Sequence, residues 1–235
     1  MWSCAIVCML LVGAMGLKPA EKHHEPCCIP RSCTYKSADI TTSVFGGELR
    51  VELEKTEVAY DSISEKLSIF FDAEYFNGTE VLKRSIRDYK EKTQYVIYKV
   101  GDEEHCFPED LDYPFPEACI PDDAKFLQDQ WIGEKDLQVE TWYFSSSEHA
   151  PRHTAISVGS KDCVPVNFVD TQYVGGNLYD VTDRHTFDFN LGICDRDRFF
   201  KVPEVCRPGK ALKEPTLEVQ NILDRISRRR KFLFQ

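Results

Sequence analysis

After its first 17 residues the 235-residue chain contains no apolar run of the roughly 20 residues that a bilayer core requires. It also contains no convincing internal repeat. There is no Gly-x-Ser-x-Gly elbow, no His-Glu-x-x-His helix and no glycine-rich phosphate loop, which removes the usual signatures of serine hydrolases, zinc proteases and nucleotide hydrolases. The six histidines are scattered. His149 and His153 have helical spacing, but Pro151 between them forbids the helix that would bring both rings to one metal. Basic surplus is missing too: 29 Lys and Arg stand against 39 Asp and Glu, for a net charge of −10. From Arg207 onward eight basic residues face three acidic ones, so the body before it carries −15. A body of that sign excludes a nucleic-acid partner, whose phosphates need a basic face. The twelve-residue calcium loop is absent as well. Acidic pairs such as Asp180 with Asp183 and Asp195 with Asp197 leave calcium open through a different arrangement. No catalytic residue is assigned, and the chain reads as a non-enzyme.

What is present begins with residues 1–17, an uncharged stretch too short to span a membrane, with small residues at Ala14 and Gly16 before Lys18. That pattern predicts a signal peptide over 1–16 and an exported, soluble product, secreted or held in the lysosomal lumen. Eight cysteines remain beyond it: Cys27, Cys28, Cys33, Cys106, Cys119, Cys163, Cys194 and Cys206. An even number in an exported chain predicts disulfides, with pairing open. Zinc fits less well, because Cys27-Cys28-x4-Cys33 has no second closely spaced Cys or His pair. His23 and His24 read as part of a solvated leader over 18–26. Asn77-Gly78-Thr79 is an N-glycosylation sequon placed at a turn.

From Val44 onward hydrophobicity alternates with period two, the pattern of a half-buried strand. In Glu48–Glu54 the apolar Leu49, Val51 and Leu53 are expected to face a core and their charged neighbours to face water. Turn signals at Gly46-Gly47, Asn77-Gly78, Gly101-Asp102 and Gly175-Gly176 separate about nine to eleven candidate strands. Even spacing favours an all-β antiparallel sandwich or half-open barrel over a βαβ fold. Tyr95–Tyr98 and Thr141–Phe144 are apolar on both faces, so they are either covered on both sides or line a cavity. Phe107–Pro121, with four prolines and four acidic residues, reads as a long irregular connection that Cys106 and Cys119 would fasten. The domain is therefore expected over 17–206. A basic tail over 207–235 follows, with a short amphipathic helix through Val219, Ile222, Leu223 and Ile226 ahead of Arg228–Lys231.

One set of segments is more specific. Cys27-x-x-Pro30, Tyr60-Asp61, Trp131-Ile132-Gly133, Lys161-Asp162-Cys163-Val164-Pro165-Val166, Phe187–Asp195 and Phe199–Cys206 occur in an order and spacing that resemble the ependymin and ependymin-related family. The resemblance covers about Cys27 to Cys206. It implies a secreted or lumenal glycoprotein of two stacked antiparallel sheets around a deep apolar pocket, similar to bacterial lipoprotein carriers. It also implies homodimers, lipid-like ligands and calcium binding, with no enzymatic activity. Its bridges carry over as Cys27 with Cys163 and Cys106 with Cys206. Cys119 with Cys194 is proposed as a third, leaving Cys28 and Cys33 paired locally or used between subunits. The chain departs from the family in lacking a Trp near Cys33 and in placing Arg196, where a Pro is common, after Asp195.

The expected function is therefore binding of a hydrophobic small molecule or lipid in an apolar pocket, held by burial at about 25 cal/mol per Å². Tyr98, Trp142, Phe144, Phe168 and Phe189 are the candidate lining residues. The rival is an extracellular matrix, adhesion or signalling component that binds calcium and partner proteins and has no dedicated small ligand.

Overall fold

A computed structural model describes residues 24–45, 47–74, 80–100, 103–146, 151–174 and 177–207. The signal peptide, Asn77, His149 and the tail helix with its basic run lie outside the described residues.

Among the described residues the strands form two meanders. The first contains β1 (Ser32–Phe45), β2 (Glu48–Asp61), β3 (Lys66–Glu74), β4 (Glu80–Asp88), β5 (Thr93–Val100) and β6 (Glu103–Asp110). The second contains β7 (Lys125–Ile132), β8 (Leu137–Ser146), β9 (Arg152–Gly159), β10 (Pro165–Val174) and β11 (Asn177–Leu191). All four glycine-bearing turn signals fall between consecutive strands. The meanders do not form two stacked sheets, as expected above, because β11 hydrogen-bonds to both β10 and β1. That shared strand fuses them into one antiparallel sheet of eleven strands, ordered β6-β5-β4-β3-β2-β1-β11-β10-β9-β8-β7 and not closed.

The two edges, β6 and β7, are consecutive in sequence. Eleven strands laid flat would separate them by about 48 Å, ten spacings of about 4.8 Å. The 14 residues between the edge strands reach that far only if fully extended. They are not extended, since Ala124 N–H bonds back to the Pro121 carbonyl. The sheet must therefore curl, and the connection crosses its inner face as a strap. Pro108 lies not in the strap but in β6, opposite Tyr95; β6 is an edge strand, where the missing proline donor costs little.

The strap is what fills the first half of the inner face. Leu111, Tyr113, Phe115 and Ala118 pack on Cys33, Tyr35, Val58, Tyr60, Leu67, Ile69 and Tyr89. The Tyr60 hydroxyl donates to the Pro116 carbonyl at 3.2 Å, anchoring the strap over β2. On the outer face of β4, β5 and β6, Ile86, Ile97 and Cys106 are covered by Val202, Val205 and Cys206. These follow α1 (Arg196–Phe200), whose first turn is capped by the Asp195 carboxylate accepting from Arg198 N–H at 2.9 Å. β5 is thus apolar on both faces because it is covered on both.

The alternation in β2 has the expected period but the opposite polarity over its first half. Leu49 and Leu53 are 68% and 57% exposed on the outer face, beside Ile40 of β1. Glu52 and Glu54 face inward, opposite Thr41 and Asp39. The inner face here is built of ions and hydroxyls, so charged side chains find partners inside. Among the described residues no helix is long and apolar enough to cross a membrane.

Candidate functional site

The second half of the inner face holds a cavity of about 260 Å³. Its wall is supplied by Tyr35 of β1, Phe144 of β8, Ile156 and Val158 of β9, and Phe168 of β10. Arg152, Thr154, Arg184 and Thr186 make one side polar. Its roof is residues 27–29 lying antiparallel to strap residues 118–120, with Ile29 N–H bonded to the Ala118 carbonyl and Ile120 N–H to the Cys27 carbonyl, both at 2.9 Å.

Two disulfides fasten that roof. Cys27 is joined to Cys163, which sits in the β9–β10 turn at a left-handed φ of 56°. Cys28 is joined to Cys119, directly opposite it in the antiparallel bridge, with Cα atoms 3.9 Å apart. A third joins Cys106 of β6 to Cys206, holding the C-terminal segment on the outer face. The proposed Cys119–Cys194 pair is therefore corrected. Cys194 lies exposed beyond the end of β11, while Cys28 already faces Cys119 across the roof. Cys33 pairs neither with Cys28 nor with another subunit. It is wholly buried under the strap, and burial pushes its thiol up to about 12.

Of the candidate lining residues, Phe144 and Phe168 face the cavity. Trp142 lies beneath it in the packed cluster with Ile120, Val158 and Cys163. Tyr98 is at the other end of the sheet, stacked between His105 and Phe107. Phe189 packs on Tyr35 outside the cavity. All five are aromatic and three lie in the two segments apolar on both faces, and neither signal distinguishes a lining ring from a core ring. The glycosylation candidate Asn77 is not described.

The polar side was not legible beforehand. Arg184 Nε donates to both oxygens of Asp39, at 2.9 Å each. Burial works against its charge, but the Asp39 hydrogen bonds outweigh it, so the guanidinium is held protonated above its ordinary range. Asp39 also accepts from Ser37 Oγ at 3.0 Å. Arg152 Nε donates to Asp170 at 2.7 Å, and Thr154 Oγ1 donates to the other oxygen of that carboxylate at 2.7 Å. Both arginines that enter the cavity wall are thus neutralised from the neighbouring strand, which is what their burial requires. Burial, the largest influence, pushes the Tyr35 hydroxyl upward, so it stays neutral.

Metal chemistry finds no support in the geometry: among the described residues no three His, Cys, Asp or Glu side chains gather into a cluster. The acidic pairs have structural partners instead. Asp183 accepts from Asn167 at 2.8 Å, and Asp195 caps α1. His24, expected in a solvated leader, stacks on Phe126 with ring centroids 3.6 Å apart and lies 3.1 Å from Glu140. Arg196, a departure in the sequence, has a defined place: its Nη2 donates to Asp61 at 2.5 Å, tying α1 to the β2–β3 turn.

No curated protein matches the chain. A DUF1329 family protein from Desulfovibrio piger is similar at 8% identity, covering 72% of this chain and 89% of that one with a TM-score of 0.31, too slight a likeness to carry an argument. The family model described as Ependymin matches residues 77–206, more than half of the sequence and the stretch from the sequon to the last bridged cysteine. The chain belongs to the ependymin family.

Proposed function

We propose that this protein is an exported, non-catalytic carrier that sequesters a hydrophobic or amphipathic small molecule in the roofed cavity. One observation carries the reading. An apolar cavity is enclosed on one side by the sheet and on the other by a strap that two disulfides hold in place. A hydrophobic core of ordinary design would close on itself, whereas here the covering segment is fixed at a distance from the sheet floor. Burial against Phe144, Ile156 and Phe168 would supply the affinity, and the Arg152–Thr154 side would accept a polar end. Disulfides fit the oxidising route out of the cell, with the lysosomal lumen as the alternative destination and Asn77 as the proposed glycosylation site.

The test is mass spectrometry of organic extracts from natively purified protein, followed by titration with a fluorescent fatty acid. A bound lipid and saturable uptake, abolished by Ile156→Trp, are expected. An empty cavity that also refuses the probe overturns the reading.

The outer face favours a second reading. Ile40, Val44, Leu49, Val51 and Leu53 form an exposed aliphatic row on adjacent strands, as a partner-binding matrix or adhesion component would present. A homodimer would use the same row, and sedimentation of wild type against Leu53→Asp separates monomer from dimer. Calcium remains part of this reading only, and calorimetry with calcium alone tests it.

A further inference from the structure

Both cations in the cavity wall are already engaged. Arg184 turns its Nε and Nη2 to Asp39, and Arg152 turns the same two nitrogens to Asp170. That edge of a guanidinium, with two parallel N–H groups, is the one that grips a carboxylate at two points. Both aspartates are buried, so neither pair opens at low cost to admit a different anion. Two further carboxylates border the site. Glu54 lies across from Asp39 and acts on Arg184, and Glu117 of the strap lines the cavity. The lining contains no Lys, no His and no third Arg. An anionic head drawn against this wall would give up its hydration and find no countercharge.

What the wall does offer is hydroxyls. Tyr35 and Thr186 line the cavity, and neither hydroxyl has a hydrogen-bond partner among the described residues. Tyr35 is only 7% exposed, and a hydroxyl at that depth ordinarily has a partner. It stays a neutral phenol, because burial outweighs the nearby Arg184 charge. Phenol and alcohol groups both donate and accept, so they suit a head that is itself an uncharged donor or acceptor. Arg184 adds Nη1, the nitrogen that Asp39 does not engage. The cavity, at about 260 Å³, falls just below the roughly 300–1,000 Å³ of pockets that enclose drug-sized ligands, so the chain it takes is short.

We propose that the roofed cavity selects uncharged amphiphiles, short to medium alkyl chains ending in an alcohol, ester or amide, over fatty acids of the same length. Tyr35, Thr186 and Arg184 bind the head, and Phe144, Ile156 and Phe168 bind the chain. This rests on the carrier reading and narrows it to one class of head group. A fatty acid still enters through burial of its chain, but more weakly than its alcohol.

The test is calorimetric titration of the full protein with 1-octanol, sodium octanoate and butylbenzene, at about pH 7.5, where a carboxylic acid is ionised. Octanol should bind at least about tenfold more tightly than octanoate. Tyr35→Phe should weaken octanol about fivefold, the net effect of one hydrogen bond, while leaving butylbenzene affinity unchanged and Tm no lower. Asp39→Asn uncovers the Arg184 charge and should narrow the gap between octanol and octanoate about tenfold. If that variant does not fold, Asp170→Asn uncovers Arg152 and should do the same. Octanoate binding as tightly as octanol, a gap unmoved by the aspartate variant, or a Tyr35→Phe protein that weakens octanol and butylbenzene alike or neither overturns the head-group selection and leaves the carrier reading standing. If none of the three probes enters the wild-type protein, the carrier reading falls and the selection falls with it.

Discussion

The β1–β2 hairpin contains two interiors. Toward the strap, its inner face is Cys33, Tyr35, Val58 and Tyr60, buried against the strap's own aromatics. Toward the far end, the same face of the same strands is Ser37, Asp39, Thr41, Glu52 and Glu54. One half is held by apolar contact and a covalent roof, the other by hydrogen bonds passed sideways from strand to strand. Thr56 and Ser37 hydroxyls meet at 2.6 Å, Ser37 donates to Asp39, and Asp39 binds Arg184. A period of two fixes which residues share a face. It does not fix which face is inside, because a paired ion satisfies an interior as well as a leucine does.

The two halves should break differently. Removing the roof staple with Cys27→Ser and Cys163→Ser opens a loop of 136 positions and should cost about 5 kcal/mol on the loop-entropy model, read as a lower denaturant midpoint. An unchanged midpoint would show that the apolar half needs no staple. In the polar half Asp39→Ala strands the buried Arg184 charge and should cost about 3–5 kcal/mol, while Asp39→Leu combined with Arg184→Met restores most of it. If the double variant is as unstable as the single one, the hydrogen-bond ladder rather than the charge is what matters there.

A smaller and pH-specific effect belongs to Asp61, at the strap-side end of the hairpin. Burial would raise its pKa, but the Ser64 hydrogen bonds and Arg196 overcome that and hold its carboxyl below the ordinary range. Its folded pKa is depressed, so its stabilisation is complete above about pH 4 and is lost as pH falls through the folded value. Asp61→Asn should cost about 1–3 kcal/mol at pH 6 and flatten the acid limb of urea stability measured between pH 5 and 2.5. Smallest of all, Leu53→Thr on the exposed outer row should change stability by less than about 0.5 kcal/mol. A larger loss would mean that the outer row is covered in solution.

Strand number, the four glycine turns and the existence of a long connection were legible because each depends on neighbours in sequence; its first four expected residues, 107–110, instead extend β6. The ependymin resemblance rested on ordered short segments, and the family match spans most of them. The single sheet was not legible: it hangs on β11 bonding to β1, a pairing of residues about 150 positions apart. The polar side of the cavity was hidden for the same reason, since Arg184 and Asp39 are 145 positions apart. The Cys28–Cys119 bridge escaped because sequence cannot show that residues 27–29 lie against the strap. Tyr98, Trp142 and Phe189 were chosen as aromatics, and aromatics in this fold serve the core at least as often as the cavity.

The three bridges interlock, and this has a consequence for how the protein wears. Cys27–Cys163 spans every peptide bond from residue 27 to 163, and Cys106–Cys206 spans every one from there to 206. A protease that nicks the chain once anywhere between these limits makes two fragments that cannot diffuse apart. Only the segments before Cys27 and after Cys206 can be shed, so trimming at the basic run Arg228–Lys231 would leave the domain covalently whole.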